Sequence, residues 1–244
     1  MNKSDYLRIL EDEGNAFIDG VCADLDGTIA HCDDWTNRAL AAHLGMVWSI
    51  AATNVQAATT ESTKPDDARK APADDGEMRS WLEGRLQFAL DELAAAEPSA
   101  PSWTFAADDQ SAGFWQRRMA AETVVHRIDA QVGAGWSVDS VEPAIAAETI
   151  DEYTVVSLRS STSRPNRDYP SESLHLHCTD TDGEWTMVGD GEGGVTVTRQ
   201  HAKGDAAVRG RAHDLMCWIW GRPAGAVEIF GDPDVATAWQ AVAP

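Results

Sequence analysis

The sequence predicts an α+β protein, a four-helix bundle followed by a small α/β domain with a short antiparallel sheet. Three observations carry that expectation. Through most of the first 152 positions apolar residues recur at three- and four-residue steps, the period of amphipathic helices. From residue 173 the pattern changes to short alternating runs separated by Asp-Gly and Gly-Gly turns, as in a β-meander. Between them, near residues 153–171, a stretch rich in Ser, Arg and Pro reads as a connector, which puts the expected domains at 1–153 and 154–244. The 244 residues are 43% hydrophobic, enough to bury a core in each part and to exclude disorder of the whole chain.

The first helix is expected over residues 3–25, where Tyr6, Leu7, Leu10, Phe17, Val21 and Leu25 share one face and Gly14 and Gly20 weaken it. After Asp26-Gly27 a turn passes His31 and Cys32 to Thr36, a suitable N-cap for a second helix over 37–55. Residues 56–77, rich in Thr, Asp, Ala and Pro, lack any period and read as an exposed loop long enough to be a lid or insertion. Periodicity returns over 78–95, with Trp81, Leu82, Leu86, Phe88, Leu90 and Leu93, and again over 112–132, where Gly133 and Gly135 stop it. A short helix over 141–152 closes the first part. Strands follow at 173–179, 184–188 and 195–198, then a helix over 208–221, a strand over 227–230 and a last helix over 233–242.

Charge narrows the function. Nineteen basic against 40 acidic side chains give a net charge of -21, and no basic run is longer than two residues. Such a surface repels phosphate backbones and anionic headgroups, which excludes nucleic acid or membrane binding as the main activity. The first 153 residues carry 11 basic and 28 acidic side chains, so the acidity belongs mostly to the bundle. The N-terminus has no signal-peptide core, and the most apolar segment, residues 40–52, is too short to span a bilayer. A cytoplasmic protein is expected, monomeric or dimeric. Cys22, Cys32, Cys178 and Cys217 form no CxxC pair, which argues for reduced thiols and against a zinc knuckle.

The candidate site lies on the fourth helix. Glu122 and His126 are four residues apart, so they stack on one face and can chelate a cation together. The same spacing also suits a simple hydrogen bond on a solvated face. Met119, Val125, Ile128 and Val132 surround the pair, however, which turns part of this face inward. His43 sits mid-helix in the apolar run LAAHLGMVW. Two imidazoles and one carboxylate from two facing helices make a divalent-metal site with open positions, zinc above all.

Two segments carry a resemblance. Cys32-Asp-Asp-Trp35-Thr36 with Leu40-Ala-Ala-His43-Leu-Gly45, and Glu122-Thr-Val-Val-His126-Arg127-Ile-Asp129, resemble the mycothiol-dependent maleylpyruvate isomerase family. Its N-terminal domain is of the DinB type, with C-P-G-W-[ST], A-H-L-G and E-x-x-x-H-R-x-D patterns. The stretch from Gly210 to Arg222, with Trp220-Gly221-Arg222 at its end, is similar to that family's C-terminal domain. The resemblance implies His43, Glu122 and His126 as ligands of a divalent metal, usually zinc. It implies mycothiol, the actinobacterial thiol, as cosubstrate, and a small-molecule electrophile. Arg222 would anchor a carboxylate or enolate of that electrophile at the active site. Arg127 and Asp129 would either hydrogen-bond the metal-binding side chains from behind or link neighbouring helices. The departures are Asp33-Asp34 where Pro-Gly is usual and a 56–77 loop without a matching motif, both at the entrance to the site.

The implied chemistry is addition of a metal-bound thiolate to an electrophilic carbon. Expulsion of the thiol after bond rotation gives cis/trans isomerisation, and its retention gives S-transfer. Other readings stand beside it. Arg222 is also placed to cap a helix C-terminus. His175 and His177 share a strand face, which suits an exposed or interface position as well as a metal. His31 precedes Trp35 and would line the mouth of the site. The ten tryptophans read as packing, with one or two able to stack on a ligand. A different class, a non-catalytic module binding a metal or small ligand with a partner-recognising C-terminal domain, has no need of an open metal site. A metal-dependent hydrolase fits the same ligands but lacks an evident general base.

Overall fold

The computed structural model describes residues 1–32, 34–65, 70–159, 169–223 and 225–242. The chain divides into two compact units, Met1–Asp139 and Ser140–Pro244. The division falls before the short fifth helix rather than near residue 153, so that helix belongs to the second unit. The Ser-, Arg- and Pro-rich connector lies within the second unit, and its residues 160–168 fall outside the described residues.

The first unit is the expected bundle of four helices: α1 (Lys3–Ala23), α2 (Asn37–Ala57), α3 (Asp75–Ala95) and α4 (Ala112–Gly133). α1 packs chiefly on α4, and α2 on α3. Each helix begins where a polar side chain relieves its free N–H groups. Asn2 and Asp5 form a reciprocal capping box on α1, Thr36 accepts from Ala39 on α2, Asp74 from Gly76 on α3, and Ser111 from Phe114 on α4. The core comprises Phe17, Val21, Leu40, Leu44, Trp48, Leu82, Leu93, Met119 and Val124, all fully or almost fully buried. Trp48 joins α2 to α4 by donating its indole N–H to Thr123 Oγ1 at 3.0 Å.

α2 approaches α3 so closely that a Cβ on Gly45 would lie 2.3 Å from the Trp81 ring, which is why glycine stands two residues after His43. The loop after α2 folds back on the helix at its start, where Asn54 donates to the Thr63 carbonyl and accepts from its N–H. Residues 66–69 of that loop fall outside the described residues.

The second unit holds α5 (Pro143–Glu152), which continues into a single π-type turn, Tyr153–Ser157, followed by a five-stranded sheet. β1 (Leu174–Cys178), β2 (Glu184–Gly189) and β3 (Val195–Thr198) form the expected antiparallel meander. β4 (Ala206–Gly210) then pairs parallel to β1, and β5 (Val227–Gly231) antiparallel to β4, for the order β3-β2-β1-β4-β5. The sheet is therefore mixed rather than purely antiparallel. The helix expected over 208–221 is shorter, α6 (Ala212–Ile219), because residues 206–210 are a strand. α7 (Pro233–Gln240) ends the fold. One face of β1, with Leu174, Leu176 and Cys178, is buried beside Val208 of β4 and Met187 of β2. No described helix is long and apolar enough to cross a membrane.

Candidate metal centre

α4 presents Arg118, Glu122 and His126 at successive four-residue steps, so the three form one stripe along the helix. His43 meets that stripe from α2. Its Nε2 lies 3.3 Å from Glu122 Oε1, and His126 Nε2 lies 3.2 Å from the same oxygen. The two imidazole rings stand edge to face, with centroids 5.0 Å apart. All three donor atoms lie within 4.8 Å of one another, close enough for one ion to take them together. The structure thus brings together the three residues that the sequence nominated as metal ligands.

Around them is a buried network. Asp129, 1% exposed in its side chain, sits three residues past His126 and hydrogen-bonds its Nδ1 at 2.8 Å. A partner on Nδ1 fixes the ring and aims Nε2 at the cluster, the support a metal-binding histidine requires. The other Asp129 oxygen lies 2.6 Å from His31 Nε2. Cys32 belongs to the same side group, His31-Cys32-Asp129. Trp35 stands edge-on to His43 with ring centroids 5.3 Å apart, and with 36% of its surface exposed it forms an outer wall beside that histidine.

The electrostatics follow from these contacts. Burial opposes the charge on Glu122, but Arg118 and His126 outweigh it and hold the carboxyl well below its ordinary range. Arg118 pairs with Oε2, which leaves Oε1 facing the two histidines. Burial would likewise lower His126, yet Glu122 and Asp129 push it up to about 9. Burial lowers His31 too, but Asp129 and Cys32 together outweigh it and raise the imidazole to about 9.

The remaining nominated residues lie elsewhere. Arg127 points to the opposite side of α4, where it donates to Glu13 of α1 at 2.7 Å, to Gln131 and to the Asp139 carbonyl. It ties α4 to α1 and to the segment at Asp139. Arg222, in the second unit, donates to the Trp220 carbonyl at 2.6 Å just beyond α6, and its guanidinium lies 6.0 Å from the centroid of that indole. Arg118 was not singled out from the sequence, although its i,i+4 spacing to Glu122 was there to be read, and His31 was given no partner.

Comparison with known proteins bears on the whole chain. Residues 7–131 match the family profile described as mycothiol maleylpyruvate isomerase N-terminal domain, and residues 143–238 match the MDMPI C-terminal domain. No curated protein sequence matches significantly. Among solved structures, the fold is similar to a mycothiol-dependent maleylpyruvate isomerase, crystallised as a histidine-to-alanine mutant. The TM-score is 0.62 at 14% identity, over 94% of this chain and 93% of the other. With one profile on the helical bundle that holds the histidine-glutamate cluster and the other on the α/β unit, the chain belongs to the mycothiol maleylpyruvate isomerase family of enzymes.

Proposed function

We propose that this enzyme uses mycothiol and a divalent metal, zinc first among candidates, to isomerise or conjugate a small electrophile. The observation that carries the reading is the convergence of two imidazole Nε2 atoms on one buried carboxylate oxygen, with Asp129 fixing the second imidazole. The donor set fits the ion. His43, Glu122 and His126 would hold it with two nitrogens and one oxygen, leaving coordination positions for a ligand. When bound, a divalent cation lowers the pKa of a thiol at an open position, so that the thiolate exists at neutral pH.

The chain's own residues set the stage for that chemistry. Asp129 holds His126 in the tautomer that offers Nε2. Arg118 keeps Glu122 ionised and confines its Oε2. Trp35 shields the His43 side. The thiolate would form a C–S bond to one carbon of a conjugated C=C bond, whose π pair moves onto the carbonyl oxygen; rotation about the resulting C–C single bond, return of the pair and cleavage of the C–S bond release the thiolate with the isomerised product, while protonation of the adduct leaves a conjugate. Family membership favours isomerisation of a maleylpyruvate-type substrate. The role of Arg222 as carboxylate anchor comes from the resemblance, and Arg222→Gln tests it: KM for an anionic electrophile should rise with that for a neutral one unchanged.

The decisive experiment combines metal analysis of the purified protein with turnover of maleylpyruvate in the presence of mycothiol. Activity should vanish on chelation, return with Zn²⁺, and fall at least about a hundredfold in His43→Ala. Undiminished turnover in that variant would overturn the reading. A non-catalytic module would bind a metal yet show no turnover and no thermal shift with mycothiol.

A further inference from the structure

A second cluster of ligating side chains lies in the other unit. β1 places His175 and His177 on the same sheet face, opposite Leu174, Leu176 and Cys178. In the antiparallel register His177 faces Glu184 and His175 faces Thr186 on β2. The loop between β3 and β4 brings His201 over the same spot. His177 Nδ1 lies 2.7 Å from Glu184 Oε1, His201 Nδ1 3.1 Å from Oε2, and His175 Nε2 3.8 Å from Oε2. One donor atom from each of the four lies within 4.8 Å of the other three.

Hydrogen bonding to Glu184 accounts for two of these histidines and not for the third. His175 is 5% exposed, and its Nε2 is buried without a hydrogen-bond partner. The Thr186 hydroxyl directly across from it is unpartnered too. Buried polar atoms are nearly always satisfied, and each exception needs a cause. Here the orphaned nitrogen points at a carboxylate that already gathers two other imidazoles. A tetrahedral zinc-type ion holds its ligands about 3.3 Å apart, at bond lengths of about 2.0–2.1 Å. The two spacings to the single oxygen Glu184 Oε2, 3.1 Å from His201 and 3.8 Å from His175, lie on either side of that value.

We propose that His175, His177, Glu184 and His201 form a second site for a borderline divalent transition metal such as Zn²⁺ or Co²⁺. Imidazole-rich sets select such ions over Mg²⁺ and Ca²⁺. Four protein ligands fill a tetrahedral shell, so the ion is structural, pinning the loop that carries His201 to β1 and β2. His201, with a side chain 79% exposed, is the ligand through which the ion enters and leaves.

The test removes the first site and asks what remains. The double variant His43→Ala/His126→Ala is loaded with Co²⁺, desalted, and read by elemental analysis, by the visible absorption of tetrahedral cobalt and by melting temperature. About one ion per chain should remain, with a cobalt spectrum and a raised Tm. Adding Glu184→Gln and His201→Ala should abolish all three signals. If the double variant keeps no cobalt, or keeps it after Glu184→Gln and His201→Ala, the proposal fails. Should the double variant not fold, the wild type decides: about two ions per chain falling to about one in His201→Ala supports the site, and an unchanged count refutes it. Because the first site is absent from the principal experiment, the outcome is independent of whether the protein acts on mycothiol.

Discussion

The residue on which the first site turns is Asp129, whose two oxygens hold His31 and His126. In the metal-free protein both imidazoles have their pKa raised from 6.5 to about 9: burial lowers each, but Glu122 and Asp129 at His126, and Asp129 with Cys32 at His31, together outweigh it. A folded-state value above the unfolded one stabilises the protein fully below pH 6.5, and the stabilisation is lost as pH rises through the folded value. Melting temperatures of chelator-treated protein should therefore fall between about pH 6.5 and 9. Asp129→Asn should flatten that slope while lowering stability at pH 6. A slope as steep in the variant as in the wild type would mean that other groups carry it. Saturating Zn²⁺ should flatten it too, because an ion on His126 Nε2 replaces the proton.

At the level of elements, long periodic helices were legible and short composite segments were not. The second and fourth helices begin at the expected residues, Asn37 and Ala112, because Thr36 and Ser111 are caps written into the local sequence. That is also why His43, Glu122 and His126 were readable as a set: two well-bounded helices leave little freedom in which faces meet. The strand Ala206–Gly210 was hidden, since AAVRG has small residues, a single β-branched one, and runs straight into an apolar helix. The break between them carries no local signal, because Arg211 at the N-cap offers no capping side chain. The cap comes from 32 residues away: Asp180 accepts from the Ala212 N–H at 2.8 Å and pairs with Arg211. The second metal-type cluster was half visible as His175-x-His177, but only strand pairing and a loop bring in Glu184 and His201. Asp180→Ala should cost about 1 kcal/mol, the usual worth of an N-cap, and lower the Tm without changing metal content at the α2/α4 site. Equal melting curves for the two proteins would show that α6 needs no such cap.

For the whole molecule, the structural division redistributes the charge of -21. The unit Met1–Asp139 carries 11 basic and 24 acidic side chains, net -13, and Ser140–Pro244 carries 8 and 16, net -8. Both units are thus acidic, and the contrast that the sequence suggested between an acidic bundle and a less acidic second part is weaker than expected. An anionic electrophile approaching either unit meets a repulsive field whose reach is the Debye length, about 30 Å at 0.01 M salt and about 8 Å at 0.15 M. Close to the α2/α4 cluster Arg118 adds positive charge beside Glu122, and a divalent cation held by His43, Glu122 and His126, as proposed above, would add more. Long-range repulsion is screened by salt, whereas contacts inside a buried site are screened much less. Raising ionic strength from 0.01 to 0.15 M should therefore raise kcat/KM several-fold for a carboxylate-bearing electrophile and leave a neutral analogue of similar size unchanged. Steady-state rates at fixed mycothiol over that salt series check this. A fall with salt for the anionic substrate alone would mean that local cations, rather than the acidic surface, govern its capture.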